Sequence, residues 1–213
     1  MVSARSNPSS PVVGPAIDAV AVKVLISGGF GVGKTTLVSA VSEIVPLRTE
    51  ELITELSDGV DDVSGIEDKT TTTVAMDFGR ITINPELVLY LFGTPGQDRF
   101  WFMWDELARG ALGAIVLVDT RRLDACFAAI DYFERRELPF VVGVNCFDGT
   151  QLYDVDEIRA ALAIDSFIPV ILCDARERES TKELLVKLMA HVMATARLAE
   201  SVPAQQARSS AAT

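Results

Sequence analysis

Gly28-Gly29-Phe30-Gly31-Val32-Gly33-Lys34-Thr35 follows directly on Ala21-Val22-Lys23-Val24-Leu25-Ile26-Ser27, and these two segments together decide the fold. The upstream stretch is apolar and β-branched, the pattern of a buried strand. The downstream stretch has the spacing G-x-x-x-x-G-K-[ST], in which glycines let successive backbone N–H groups turn inward around phosphate oxygens. In such a loop Lys34 brings a point charge to the β- and γ-phosphates, and the Thr35 hydroxyl is placed to ligate Mg²⁺. Leu37-Val38-Ser39-Ala40-Val41 then reads as a helix whose N-terminus favours an anion.

The 213 residues, 49% of them hydrophobic, suit a single α/β domain with a core large enough to need no staples. A net charge of −11 and the lack of a basic stripe exclude a nucleic-acid-binding surface. The three cysteines, Cys126, Cys146 and Cys173, form neither a CxxC pair nor a zinc spacing, which fits a reducing cytoplasm. No apolar run reaches the roughly 20 residues of a membrane span, and residues 1–15 lack the apolar core of a signal peptide. The expected location is cytoplasmic, with peripheral recruitment to a membrane by partners left open.

Residues 1–15 and 200–213 are rich in Ser, Pro, Ala and Gln without apolar periodicity and read as disordered tails, leaving 16–199 as the folded unit. Within it, strands are expected at Lys23–Ser27, Val74–Ile83, Leu87–Phe92, Ala114–Asp119, Phe140–Asn145 and Val170–Cys173. Helices are expected at Lys34–Val45, Arg99–Arg109, Leu123–Arg136, Val155–Leu162 and Thr181–Leu198. The alternation implies a six-stranded, mostly parallel sheet with helices on both faces. One connection, Asn84-Pro85-Glu86, is too short for a parallel crossover, so the second and third strands should form an antiparallel hairpin at one edge.

With that hairpin placed after the first helix, the chain resembles the Ras-like small GTPases, which have a three-layer P-loop NTPase fold. The resemblance implies nucleotide contacts at Gly28, Gly31, Val32, Gly33, Lys34, Thr35 and Thr36. It also implies a threonine at the second strand that ligates Mg²⁺ and senses the γ-phosphate. Thr73 fits that place in Thr73-Val74-Ala75-Met76-Asp77-Phe78, and Thr72 is the reserve because Thr70 to Thr73 are all threonine. Gly93-Thr94-Pro95-Gly96-Gln97-Asp98-Arg99-Phe100 resembles the family's second switch. There Gly96 would turn its N–H to the γ-phosphate and Gln97 would orient the attacking water, with Lys34 stabilising charge. The family's Mg²⁺-linked Asp is replaced by Gly93, leaving Thr35 and Thr73 as the implied metal ligands unless Asp77 or Asp119 compensates.

Base recognition is implied for Asn145-Cys146-Phe147-Asp148, at the place of the family's Asn-Lys-x-Asp element. The Asp148 carboxylate would accept from guanine N1–H and N2–H₂, which adenine cannot supply. Cys146 stands in for the lysine whose stem covers the base. Cys173-Asp174-Ala175 resembles the loop that reaches the guanine carbonyl through its backbone, with Ala175 matching and Cys173 and Arg176 departing. Phe30 lies where an activator's arginine must enter, and it either crowds that route or packs on a switch. Trp101, Phe102 and Trp104 form either core or a partner surface, and the acidic run Glu50 to Asp68 is either a solvated loop or a surface for a basic partner. The lone His191 reads as a surface or packing residue.

The motifs together most closely resemble the small GTPases of actinobacterial conservons, which work beside a roadblock/LC7-type protein and a membrane sensor similar to a histidine kinase. The implied function is a GTP/GDP switch that hydrolyses GTP with Mg²⁺, served by a GTPase activator. Two alternatives stand: a nucleotide-bound assembly module with little hydrolysis, favoured by Gly93 and Phe30, and an ATP-using P-loop regulator.

Overall fold

A computed structural model describes residues 19–54, 71–96, 102–147 and 153–210; the side chains of 47–54, 71–75 and 200–210 lie outside that description. Every strand that the sequence predicts is present, and so is every predicted helix. The strands are β1 (Val20–Gly28), β2 (Leu47–Thr54), β3 (Thr71–Asn84), β4 (Leu87–Gly93), β5 (Ala111–Val118), β6 (Phe140–Asn145) and β7 (Val170–Cys173). The helices are α1 (Lys34–Val41), α2 (Phe102–Ala108), α3 (Asp124–Arg135), α4 (Val155–Leu162) and α5 (Arg178–Ser210).

The sheet order is β2-β3-β4-β1-β5-β6-β7. β1, β4, β5, β6 and β7 pair in parallel, whereas β3 pairs antiparallel with both β4 and β2. The sheet therefore has the six expected strands with β3 reversed, but the expected edge strand is not at the edge. β2 covers it, formed by Leu47-Arg48-Thr49-Glu50-Glu51-Leu52-Ile53-Thr54, and its first acidic residues belong to a strand rather than a loop. A strand here satisfies β3's outer N–H and C=O groups, which a bare edge would leave unpaired.

Alternation along the central strands explains why both faces are dry. Val24 and Ile26, Ile115 and Leu117, and Val141 pack with α1 and α5, while Leu25, Val116, Val142 and Val144 pack with α2, α3 and α4. Parallel strands buried on both faces read as unbroken apolar runs. Each such Leu, Ile or Val contributes about 1.5–3 kcal/mol.

Two helix C-termini differ from expectation by several residues. α1 ends at Val41, where Ser42 takes an extended conformation. The Ser42 Oγ accepts the Ile44 and Arg80 N–H groups, and this local bonding competes with another helical turn. α5 runs on through residues 200–210, assigned above to a tail; Ala204, Gln205, Gln206, Ala207 and Arg208 are good helix formers that the missing apolar stripe concealed. Residues 1–15 lie outside the described residues.

Candidate functional site

The crossover from β1 to α1 carries the phosphate loop. Gly28, Gly31 and Gly33 have φ of 130°, 76° and 109°. Gly33 shows why no other residue fits: beyond its left-handed backbone, a Cβ there would lie 2.7 Å from Asn145 Nδ2. Lys34 Nζ donates to the carbonyls of Gly28 at 2.8 Å and Gly29 at 2.7 Å, so the ammonium lies folded against the loop. Burial pulls the Lys34 amine down to about 8, and the Asp77 charge opposes that shift. The strand-ending turn from β4 meets this loop at Gly96, where a Cβ would lie 2.6 Å from Lys34 Nζ and 3.0 Å from Phe30 N. Thr94 is tied back to β1, its N–H donating to Ile26 O at 2.9 Å and its hydroxyl to Ser27 Oγ at 3.0 Å.

Thr35 Oγ1 donates to Asp77 Oδ2 at 2.5 Å. The β3–β4 register pairs Phe78 with Phe92, which places Asp77 opposite Gly93. A Cβ on Gly93 would meet Asp77 Cβ at 3.1 Å and its Oδ2 at 3.2 Å, so the Asp77 side chain fills the space beside the glycine. Asp119, the other candidate, is 4% exposed and engaged in an ion pair with Arg121 at 2.8 Å. A hydroxyl and a carboxylate oxygen side by side are the hard donors that Mg²⁺ takes alongside phosphate and water. Among the described residues there is no cluster of three or more acidic, His or Cys ligands, so the set suits an ion completed by a phosphate rather than an all-protein cage.

Asn145 is buried at the end of β6 and bridges two loops. Its Nδ2 donates to Val32 O at 2.9 Å, and its Oδ1 accepts the Ala175 N–H at 3.1 Å. The Ala175 N–H is therefore engaged within the protein. Cys173 is buried and its carbonyl accepts the Cys146 N–H at 2.8 Å, while burial pushes its thiol up to about 12; its contact is made by backbone, not sulfur. Cys146 is half-buried beside it.

The structure thus brings together Gly28, Gly31, Val32, Gly33, Lys34, Thr35, Thr36, Gly96, Asn145, Cys173 and Ala175. Gln97 and Asp148 lie outside the described residues, and so does the side chain of Thr73. The backbone of Thr73 pairs with Leu52 and that of Thr72 with Ile53, inside a strand that opens at Thr71, three residues before the expected Val74.

Phe30 is 69% exposed at the loop's apex and does not pack away. Trp104 is core, stacked on Phe133 with centroids 6.0 Å apart, whereas Phe102 is exposed; Trp101 lies outside the described residues. His191 is buried against Phe167, a packing residue with its imidazole pKa lowered by burial. Sequence reasoning passed over Arg121 and Arg122. The guanidinium of Arg121 lies 4.2 Å from the Phe147 ring centroid, and Arg122 Nη2 donates to Phe30 O at 3.1 Å. No spacing rule marks these residues. The only signal was their adjacency to Asp119 at the end of a central strand.

A glycine loop between β1 and α1, a lysine folded into it and a buried asparagine bracing it from β6 define a P-loop nucleotide-binding domain. The chain belongs to the family described as conserved hypothetical ATP binding protein, whose profile matches residues 26–195. An uncharacterised protein of Methanocaldococcus jannaschii is 30% identical over 172 residues, covering 80% of this chain and 96% of that one. Among solved structures, the fold is similar to the G domain of the T. maritima FeoB iron transporter, at TM-score 0.56 and 20% identity, covering 81% of this chain and 99% of that one. It is also similar to the FeoB G-domain from Methanococcus jannaschii, at TM-score 0.53 and 13% identity, covering 81% and 98%. Against the whole cytosolic domain of the T. maritima protein the TM-score is 0.58 at 20% identity, with 81% of this chain covered; the chain spans only 64% of that domain's length. Among the described residues, no helix is long and apolar enough to cross a membrane.

Proposed function

We propose that this chain is a GTP-binding switch that hydrolyses GTP to GDP and phosphate with the help of Mg²⁺. The observation that carries the proposal is the convergence on one loop of the Thr35–Asp77 oxygen pair and the Asn145 bridge. The first suits the triphosphate end of a nucleotide. The second ties the end of β6, from which the chain runs on toward Asp148, to the phosphate loop, which supports a base site beside the phosphate site.

In this reading Lys34 leaves the Gly28 and Gly29 carbonyls for the β- and γ-phosphate oxygens, and the loop amides and the N-terminus of α1 share the remaining charge. Thr35 and Asp77 hold Mg²⁺, with Thr73 completing the set from the switch, and Asp77 takes the part of the acid that Gly93 lacks. Bound there, the ion neutralises charge on the β- and γ-phosphates. Gln97 orients the attacking water and Gly96 offers its N–H to the γ-phosphate. Loss of that phosphate frees the segments around Thr73 and Gly96, and a partner reads the difference. The resemblance to conservon GTPases supports a roadblock/LC7-type protein and a sensor-kinase-like membrane component as partners, together with a GTPase activator.

The family's description favours a second reading, an ATP-binding regulator. The two part at Asp148, since an unmatched carboxylate penalises adenine by about 1–3 kcal/mol. Asp148→Asn decides between them. On the GTP reading this variant loses GTP and gains xanthosine triphosphate, as measured by competition with a fluorescent nucleotide. Unchanged binding of either nucleotide removes Asp148 from base recognition.

A further inference from the structure

Asp119 lies at the C-terminal end of β5 with 4% of its side chain exposed, and two consecutive arginines converge on it. Arg121 Nε and Nη2 donate to its two oxygens at 2.8 Å each, and the Arg121 N–H adds a third bond at 3.0 Å. These bonds hold the Asp119 carboxyl below the usual range. Arg122 Nη2 is 3.9 Å from the same carboxylate.

Each arginine also reaches a different loop. Arg122 donates to Phe30 O, and a Cβ at Gly31 would lie 3.5 Å from its Nη2, so it rests on the outer face of the phosphate loop. Arg121 lies over the Phe147 ring, two residues beyond Asn145 in the segment leading to Asp148. One anionic post therefore tethers both the phosphate loop and the base loop. Within the base loop Cys146 takes the place where the resemblance implies a lysine with a long cationic stem, and its short thiol donates to Val144 O at 3.7 Å, in the strand that leads to it.

We propose that Asp119, Arg121 and Arg122 form a clamp that locks the phosphate loop to the base loop, positioning the two ends of one nucleotide and replacing the lysine absent at Cys146. The clamp touches protein rather than the reacting atoms, so these are positioning residues. The proposal rests on the site being a nucleotide site but not on guanine being the base. A bidentate, stacked guanidinium suits the task because it is planar and keeps its charge when partly buried. Joining two half-sites makes the whole nucleotide bind better than its phosphates alone predict, because the base then meets a loop already held in place.

The test measures the affinities of wild type, Arg122→Ala, Arg122→Lys, Asp119→Asn and the double variant Arg122→Ala/Cys146→Lys for GTP, ATP and inorganic tripolyphosphate. Thermal midpoints are followed alongside. Arg122→Ala should weaken the preferred nucleotide by about tenfold or more while changing tripolyphosphate by less than about threefold. Cys146→Lys in that background should recover most of the loss, and Arg122→Lys should fall between wild type and Arg122→Ala. Equal losses for nucleotide and tripolyphosphate would make Arg122 a plain phosphate contact and overturn the clamp. So would a loss that tracks the thermal midpoint across all variants without rescue by lysine at 146. If wild type prefers ATP, the guanine reading fails, while the ratio of ATP to tripolyphosphate affinity still tests the clamp.

Discussion

Gly93→Asp would put back the acid that this position has in Ras-like GTPases, into a space Asp77 already fills. The new Cβ would lie 3.1 Å from Asp77 Cβ and 3.2 Å from its Oδ2, so one strand must shift by a few tenths of an ångström. Overpacking of that kind costs about 1–3 kcal/mol. Two carboxylates about 4 Å apart repel by at most roughly 4 kcal/mol at the effective dielectric of a protein site, and partial exposure reduces it. The single variant should therefore lose about 2–5 kcal/mol of a total stability of order 5–15 kcal/mol. Asp77→Gly alone removes the Thr35 partner and should weaken nucleotide binding only when Mg²⁺ is present. The double variant Asp77→Gly/Gly93→Asp moves the carboxylate from β3 to β4 and relieves the clash, so it should recover most of the stability and part of the Mg²⁺ dependence. Urea unfolding without nucleotide reports the first quantity, and Mg²⁺ titration of nucleotide affinity the second, in a double-mutant cycle. If Gly93→Asp is neutral, or Asp77→Gly keeps full Mg²⁺ dependence, Asp77 does not take the acid's place.

Lys34 should make nucleotide binding proton-linked. Its amine sits near 8 in the free protein against an ordinary 10.5, and phosphate oxygens favour the charged form, so binding draws a proton on. At pH 8 the uptake should approach about half a proton and vanish below about pH 6.5, measured calorimetrically in buffers of different ionisation heat. The sign for folding follows from the same shift: the unfolded chain holds this proton more tightly, so the free protein gains stability as pH rises from about 8 toward 10.5. Asn145→Ala would leave the Val32 carbonyl and the Ala175 N–H without their partner in a buried place, costing about 2–4 kcal/mol of stability and weakening nucleotide binding. Asn145→Asp, of equal volume, keeps an acceptor for Ala175 but loses the donor to Val32, and in urea unfolding it should be no more stable than Asn145→Ala.

The phosphate loop and the alternation of apolar strands with helices were legible because each is a local pattern: a fixed spacing in one case, a period in the other. The reversed strand was legible too, since Asn84-Pro85-Glu86 permits nothing but a hairpin. What the hairpin does to the metal site was hidden in its register. The pairs run Thr82 with Val88 but Asn84 with Leu87, so Ile83 is an extra residue, a bulge next to the turn. That single residue decides whether Asp77 faces Gly93 or Thr94, and composition gives no sign of it. β2 was missed for a different reason: its partner is the strand edge formed by β3, a contact far along the chain, and its Glu50 and Glu51 look like solvated loop. Arg121 and Arg122 escaped because they act through side chains that meet across three loops. α5 escaped in part because its last turns carry no apolar stripe to reveal them.

Equilibrium binding and phosphate release for GTP and ATP, side by side with and without Mg²⁺ on the wild-type protein, test the central claim most directly. The account predicts Mg²⁺-dependent binding of GTP at least about tenfold tighter than ATP, with slow release of phosphate. Equal or tighter binding of ATP, or GTP binding that ignores Mg²⁺, would contradict it.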